Sequence, residues 1–147
     1  MKILLTGGAG YIGSHVLLSI AENNHDVTVI DDLSTGTRDL IPKNIKLINT
    51  NINNTERISN VLKNENFDLL MHFAGFIKVE ESVSNPDKYF KNNTDNAITL
   101  FETCLKHNLQ NIIFSSTAAA YGNPNNNSSI KESEDLNPLN PYGQSKV

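Results

Sequence analysis

Two kinds of apolar pattern alternate along the chain. Short apolar runs rich in β-branched residues are typical of buried parallel strands, because both faces of such strands are covered. Longer segments in which apolar residues recur every three or four positions are typical of helices with one buried face. The short runs predict five strands, at residues 2–6, 27–31, 45–50, 67–73 and 111–116.

The longer segments predict helices between these strands. They lie at residues 11–23, 56–63 and 87–107, and a further helix begins near Pro141, after a polar loop at residues 123–140. Strands that alternate with helices pair in parallel and carry helices on both faces of the sheet. The sequence therefore predicts an α/β fold with a doubly wound parallel sheet, whose ligands bind beyond the carboxyl ends of the strands.

A glycine-rich turn follows the first predicted strand. Gly7, Gly10 and Gly13 form a G-x-x-G-x-x-G pattern, and Gly8 is an extra glycine within it. Glycines there permit a tight turn and let backbone N–H groups approach a phosphate at the positive end of the next helix. A glycine-rich turn without a ligand has the same pattern, so the pattern alone leaves both interpretations open.

Asp31 favours the ligand. It ends the second predicted strand, about twenty residues after the turn, where a carboxylate accepts hydrogen bonds from the ribose hydroxyls of a dinucleotide. A carboxylate there repels a 2′-phosphate, so NAD is favoured over NADP. Asp32 has two interpretations, a weak share in cofactor binding or a cap of the turn that follows it.

Tyr142 and Lys146 are spaced four residues apart and so share one face of the last predicted helix. A lysine ammonium favours the phenolate form of a neighbouring tyrosine, which then exchanges protons with a hydroxyl. The spacing is common on solvated helices. A catalytic role is favoured only by the position of the two residues downstream of a strand that leads into Ser115, Ser116 and Thr117, whose hydroxyls can contact a substrate.

Composition narrows the classes of function. The chain has 147 residues and a formal net charge of -4, which suits a single domain and argues against a nucleic-acid surface. With one cysteine, Cys104, no internal disulfide forms, and a cytoplasmic location is expected. No apolar run approaches the ~18 residues of a membrane span. The histidines lack metal-ligand spacing; His72 and Cys104 are expected in the core.

Several stretches together resemble a known family. The whole chain is spanned by TGGAGYIGSH, VIDDLSTG, HFAGFIKVEESV, NPDKYFKNN, IIFSSTAAAYG and NPYGQSKV. These stretches are similar to the N-terminal part of the extended short-chain dehydrogenase/reductases, and among them to the UDP-glucose 4-epimerases. The resemblance implies a Rossmann-like NAD-binding domain over residues 1–147, truncated after about five strands and without the C-terminal sugar-nucleotide domain.

The resemblance also assigns roles by motif. It makes Tyr142 the general base, Lys146 the residue that favours the phenolate and holds the nicotinamide ribose, and Thr117 the hydroxyl that binds the reacting sugar oxygen. It implies NAD contacts from Gly7, Gly10, Tyr11, Ile12, Gly13, Asp31, Asp32, Asn51, Ile52, Phe73, Ala74, Gly75, Asn93, Tyr142 and Lys146.

The reaction that the resemblance implies interconverts UDP-glucose and UDP-galactose. Tyr142 removes the C4 hydroxyl proton while hydride passes from C4 to NAD, and hydride later returns to the other face of a 4-keto sugar. The complete enzyme is expected to be a homodimer, and the isolated chain is expected to be inactive. Two alternatives stay open, a nucleotide-sugar dehydratase or decarboxylase of the same family and a non-catalytic NAD-binding module.

Three positions depart from the family pattern, and one of them, Thr117 in place of a serine, keeps the hydroxyl. Asn51 stands where similar proteins often carry an aspartate that contacts adenine, so a weaker contact is expected there. Ile77 occupies the place of a lysine that many epimerases have, and Lys78 follows it.

Overall fold

The structure, a computed structural model, describes residues 1–123 and 129–147. They divide into two compact units, the first made of Met1–Gly75 and Asn96–Ser115. The second contains Phe76–Asp95 and the described part of Ser116–Val147. The predicted polar loop at residues 123–140 includes residues 124–128, which lie outside the described residues.

A parallel five-stranded sheet in the order β3-β2-β1-β4-β5 lies in the first unit. The strands are β1 (Lys2–Thr6), β2 (Asp26–Asp31), β3 (Lys46–Asn49), β4 (Leu69–His72) and β5 (Ile112–Phe114). The chain runs outward from β1 to β3 and then returns to place β4 on the other side of β1. The carboxyl ends of β1 and β4 therefore flank the point where the strand order reverses, the usual place for a ligand in such sheets.

Six α-helices and three tighter or wider turns complete the described structure. The helices are α1 (Tyr11–Glu22), α2 (Thr55–Asn64), α3 (Val79–Ser84), α4 (Pro86–Tyr89), α5 (Asn96–Lys106) and α6 (Pro141–Gln144). Two 3₁₀ turns lie at Arg38–Leu40 and Ala118–Tyr121, and a π-helical turn at Phe90–Asp95 joins α4 to α5 in the chain.

Helices cover both faces of the sheet in the first unit. Successive side chains of a strand point to opposite faces, and Leu4 and Leu5 of β1 lie in two different buried clusters. The cluster of Leu4 includes Leu62 of α2 and Leu100 of α5. The cluster of Leu5 includes Leu17 of α1. The predicted doubly wound parallel sheet is thereby confirmed.

Tyr89 belongs to the second unit and is fully buried. Its ring centroid lies 5.8 Å from that of Phe76 and 6.4 Å from that of Tyr142, both within the range of favourable aromatic pairs. Its hydroxyl donates a hydrogen bond to Glu81 (3.1 Å), and Lys88 forms an ion pair with the same carboxylate. Through Tyr89, α4 therefore packs against α6.

The predicted strands are all present, and each boundary differs by two residues at most. The prediction of one continuous α-helix at residues 87–107 is wrong in its middle, where Phe90–Asp95 widens into a π-helical turn. The Asn93 side chain bonds to the backbone of Phe76 there, and such side chains compete with regular helical hydrogen bonds. Helix α3 was not predicted, since its sequence VEESVS is short and mostly polar.

Among residues 1–123 and 129–147, none of the helices has the length and apolar character required to cross a bilayer.

Candidate functional site

The glycine-rich turn joins β1 to α1 by a close approach of three backbone segments. Gly7 has a φ of +76°, which side chains other than glycine rarely adopt. A Cβ atom there would lie 2.5 Å from the Ala74 nitrogen and 2.7 Å from the Phe73 carbonyl carbon. The Gly7 N–H donates to the Ile30 carbonyl (2.9 Å). The turn is therefore held against the ends of both β2 and β4, where only glycine fits.

Helix α1 begins directly over this turn. A Cβ atom on Gly13 would overlap the Gly7 carbonyl oxygen, so a glycine at that position lets the first helical turn rest on the loop. Within the described structure no side chain caps the helix at Gly10, and its first turn carries no acidic residue. Tyr11 and Ile12 are 80% and 58% exposed. An uncapped helix start with open N–H groups is suited to bind an anion.

Asp31 ties the loop after β2 to this turn. Its Oδ2 accepts the Ala9 N–H (2.9 Å), and its Oδ1 accepts the Leu33 N–H (2.8 Å). A carboxylate has about four acceptor positions. Each oxygen of Asp31 therefore keeps capacity for a donor from a ligand while it orders the loop.

Asp32 is the cap of the turn that follows it, which confirms one of its two interpretations. Its Oδ1 accepts the Ser34 N–H (2.9 Å), and its Oδ2 accepts a hydrogen bond from Asn51 Nδ2 (2.6 Å). Partial burial tends to raise the pKa of Asp32, but the hydrogen bonds from Ser34 and Asn51 outweigh it and hold this pKa below its ordinary value. Asp32 therefore keeps its negative charge at neutral pH, and its role in cofactor binding stays a prediction.

The other predicted cofactor residues of the first unit fall into two groups. Phe73 and Ala74 lie against Gly7, as the contacts of its Cβ position show, and Gly75 follows them in the chain. The Ile52 side chain is instead packed in the hydrophobic core beside α2. The backbone of Ile52, rather than its side chain, is thus the part left to meet a ligand.

These features fit the pyrophosphate and adenosine end of a dinucleotide. A phosphate requires backbone N–H groups without side chains in front of them, which the Gly7 turn and the start of α1 provide. A ribose requires a fixed acceptor at the end of the adjacent strand, which Asp31 provides.

Tyr142 and Lys146 lie in the second unit. The backbone stays helical past α6, because the Ser145 N–H donates to Pro141 O (2.9 Å) and the Lys146 N–H to Gly143 O (3.1 Å). Lys146 is 5% exposed, and this burial lowers its pKa from 10.5 to about 8. A lysine of this kind is mostly protonated at neutral pH and gives up its proton more easily than an exposed one.

Thr117 precedes the 3₁₀ turn at Ala118–Tyr121 and caps it by accepting the Ala119 N–H (3.2 Å). This turn lies against α6, since a Cβ atom on Gly143 would be 2.8 Å from the Ala119 carbonyl oxygen. Ser116 donates to the Lys146 carbonyl (3.1 Å). The segment with the Thr117 hydroxyl and the helix with Tyr142 and Lys146 are thereby packed together.

Asn93 is 2% exposed and makes four hydrogen bonds within the second unit. Its Oδ1 accepts from Phe76 N–H (2.8 Å) and from Asn92 Nδ2 (3.1 Å). Its Nδ2 donates to Phe76 O (2.9 Å) and Ser145 Oγ (3.0 Å). These bonds use the whole donor and acceptor capacity of the amide. The predicted contact with NAD stays a prediction, and what the structure shows is an internal link to the residue before Lys146.

The two residues expected in the core are confirmed there. His72 is fully buried, with Nδ1 2.6 Å from the Thr6 hydroxyl oxygen. Cys104 is fully buried, and burial raises the pKa of its thiol to about 12, which makes it unreactive. No cluster of His, Cys, Asp or Glu suited to a metal ion is found in the ranges that the structure describes.

Sequence reasoning missed Gly143 and Ser145. Both lie between Tyr142 and Lys146, and Ser145 is buried with its hydroxyl donating to Tyr142 O (2.8 Å). A glycine inside a helix costs about 1 kcal/mol relative to alanine, so Gly143 called for a packing reason. Nothing comparable marked Ser145, whose partner Asn93 is distant in sequence.

Comparison with known proteins places this geometry in a family context. Residues 3–147 match the NAD dependent epimerase/dehydratase family. The UDP-glucose 4-epimerase of Azospirillum brasilense is 44% identical over 99% of this chain and 42% of its own length. That of Lactobacillus helveticus is 42% identical over 100% of this chain and 44% of its own length. The chain thus spans less than half the length of these curated relatives.

Solved structures are similar in fold over the same extent. The UDP-Glc/GlcNAc 4-epimerase from Campylobacter jejuni has a TM-score of 0.93 at 42% identity, with 99% of this chain and 45% of that one covered. The UDP-glucose 4-epimerase of Thermus thermophilus in complex with NAD has a TM-score of 0.95 at 30% identity, with 99% and 47% covered.

The overlap at Gly13 predicts a selective loss of stability. Gly13→Ala should lower the free energy of unfolding by about 1–3 kcal/mol, because the new methyl group meets a backbone oxygen that cannot rotate away. Gly10→Ala is the matched control, since a Cβ there meets only the Gly7 carbonyl oxygen, at 3.3 Å; its cost should stay below about 1 kcal/mol. Urea unfolding followed by circular dichroism measures both, and equal losses would contradict the assignment.

The burial of Lys146 predicts a stability that depends on pH. Below pH 8 both folded and unfolded states are protonated, and the folded state bears the full cost of the buried charge. Between its folded pKa of about 8 and its ordinary 10.5, the unfolded state binds more protons, so stability rises with pH. Lys146→Met removes this charge.

At pH 7 the variant should therefore unfold at a higher urea concentration than the wild type. Its free energy of unfolding should be greater by up to about 3 kcal/mol. Its advantage should shrink as the pH rises through the window from 8 to 10.5. Urea unfolding of both proteins at several pH values measures this difference, and a difference that does not change with pH would rule out the buried charge.

Proposed function

The chain belongs to the NAD dependent epimerase/dehydratase family, and from that premise we propose that it is the NAD-binding part of an enzyme that interconverts UDP-glucose and UDP-galactose. The observation that carries the proposal is the Gly7 turn, which rests under the uncapped start of α1 and is held by Asp31. The names of the relatives supply the substrate, since two relatives that are 44% and 42% identical to this chain are UDP-glucose 4-epimerases.

In this proposal Asp31 and the backbone from Gly7 to Gly13 hold the adenosine and pyrophosphate of NAD. Bound NAD supplies an acceptor for the hydride at C4 of the sugar and returns it later. The proton of the C4 hydroxyl goes to the Tyr142 oxygen, and the Thr117 hydroxyl binds the same sugar oxygen. Lys146, mostly protonated at neutral pH, favours the phenolate that accepts this proton.

The packing within the second unit supports these roles. The Tyr142 ring is held edge-on against the buried Tyr89 ring, and Gly143 lets α6 contact the turn that Thr117 caps. A base works only when its rotamer is fixed within reach of the proton that it takes. Packed rings and a close helix contact provide such restraint for Tyr142.

Residues that bind the uridine and most of the sugar are proposed to lie outside these 147 residues. The relatives are more than twice as long as the part of them that this chain matches. The proposal thus treats residues 1–147 as one NAD-binding domain of a larger enzyme. The homodimer and the cytoplasmic location expected from the sequence also stay predictions.

The chain should bind NAD by itself. Isothermal titration with NAD and with NADP should show NAD bound more tightly by about tenfold, the size of effect expected from a single nearby like charge. Asp31→Asn removes the charge and keeps one oxygen, which can accept either the Ala9 or the Leu33 N–H, so it should reduce this preference. No binding of NAD, or equal binding of NADP, would contradict the proposal.

The isolated chain should interconvert UDP-glucose and UDP-galactose at a negligible rate, because the proposed grip on uridine and sugar lies elsewhere. Proton NMR of the two UDP-sugars with added NAD measures this, and a complete UDP-glucose 4-epimerase in the same assay is the positive control. Turnover at about 1 per second or faster, as is typical of enzymes, would show that these residues suffice.

A further inference from the structure

Four hydrogen bonds, together called the square, order the segments after β2 and β3; two of them lie within one loop each, and two join one segment to the other. Asp32 and Asn51 face each other, with Asn51 Nδ2 donating to Asp32 Oδ2 (2.6 Å). The second oxygen of Asp32 accepts the Ser34 N–H (2.9 Å), and Asn51 Oδ1 accepts the Asn53 N–H (3.0 Å). The fourth bond, from Thr50 N–H to Asp31 O (3.1 Å), closes the square through the backbone.

The hydrogen bonds from Ser34 N–H and Asn53 N–H determine which atoms of residues 32 and 51 face each other. The backbone N–H groups of Ser34 and Asn53 are donors, so residues 32 and 51 each have to turn one oxygen toward their own loop. The second atom of each side chain then faces the other residue. A bond between the two forms only if one of these atoms is an acceptor and the other is a donor.

This requirement selects one carboxylate and one amide. Two carboxylates would bring two negative oxygens together at hydrogen-bond distance, which is unfavourable unless they share a proton or move apart. Two amides would bring two NH₂ groups together, unless one of them gives up its own backbone partner. The present arrangement, an acid at 32 and an amide at 51, gives each of the four side-chain oxygen and nitrogen atoms one hydrogen bond.

The square lies beside the residues that fit the adenosine end of NAD. Asp31, adjacent to Asp32, holds the Ala9 N–H of the glycine turn, and its backbone carbonyl accepts from Thr50. The 32–51 bond and the Thr50–Asp31 bond therefore both connect the residues after β3 to the end of β2 beside Asp31. Asp31 is the titratable group adjacent to the pair.

We propose that Asp32 and Asn51 are a cofactor-positioning pair, in which a single carboxylate and a single amide hold the loops after β2 and β3 around the adenosine end of NAD. This inference rests on the proposed function, because it concerns how tightly NAD is held. The identities at the two positions are interchangeable in this account. An amide at 32 and an acid at 51 would keep all the side-chain bonds of the square.

The test compares NAD affinity in four proteins, the wild type, Asn51→Asp, Asp32→Asn and the double exchange D32N/N51D. At about pH 8, N51D should bind NAD about tenfold more weakly, the equivalent of one pKa unit of repulsion. D32N should lose about threefold, since it loses one hydrogen bond without gaining a repulsion. The double exchange should return to within about twofold of the wild type, which no independent action of the two residues produces.

A second measurement separates charge from shape. For N51D the loss should shrink when the titration is repeated near pH 5, because the two carboxylates then share a proton. The D32N loss should change far less. Thermal unfolding of all four proteins reports whether each is folded, and if N51D does not fold, tighter binding by the double exchange than by D32N still supports the pair.

The outcomes distinguish a failure of the proposed pair from a failure of the proposed function on which the pair rests. A wild type that does not bind NAD overturns the proposed function, and the pair with it. If the wild type binds NAD and the variants bind it equally well, the pair alone is overturned. The same holds if the affinity lost by the double exchange equals the product of the losses of the two single changes.

Discussion

The close approach of the α1 backbone to the turn after β1 is the constraint on which the first unit depends. Gly13 leaves no space for a methyl group above the Gly7 carbonyl, and Gly7 leaves none beside Ala74. Helix α1 can therefore start at the carboxyl edge of the sheet with its N–H groups open. A side chain in that space would push α1 away from β1 and disturb the buried cluster that contains Leu5 and Leu17.

The two carboxylates at the end of β2 stabilise the surrounding loops as well as provide acceptors that fit a ligand. Asp31 bonds to the turn after β1, and Asp32 bonds to Asn51 in the loop after β3, so two adjacent carboxylates link three loops. Acidic side chains at the end of a strand are often read only as ligand contacts. Here their hydrogen bonds to the protein fix the loops first, and a ribose would meet acceptors that need no reorganisation.

The second unit holds Lys146 and Asn93 by burial, which no pattern in the sequence indicates. Lys146 is kept protonated at a cost, since its burial lowers its pKa to about 8. Asn93 uses all four of its hydrogen bonds on Phe76, Asn92 and Ser145, and so ties the residue before Lys146 to a distant loop. Such residues reduce stability or helical regularity in return for a defined position, which is typical of functional sites.

The features that the sequence predicts and those that it does not predict differ in how far apart in the chain the interacting residues lie. Strands and the glycine turn follow from neighbours in the chain, so five strands and the Gly7 turn were predictable from apolar runs and spacing. The π-helical turn was not, and the Asn93 side chain within it bonds to Phe76, 17 residues away in the sequence. The 32–51 pair is a similar case. An amide donates or accepts according to what faces it, so Asn51 could be predicted as an acceptor for adenine, whereas its donor role requires the position of Asp32, 19 residues earlier. Contacts of that kind become visible only once the strand order has brought the loops together.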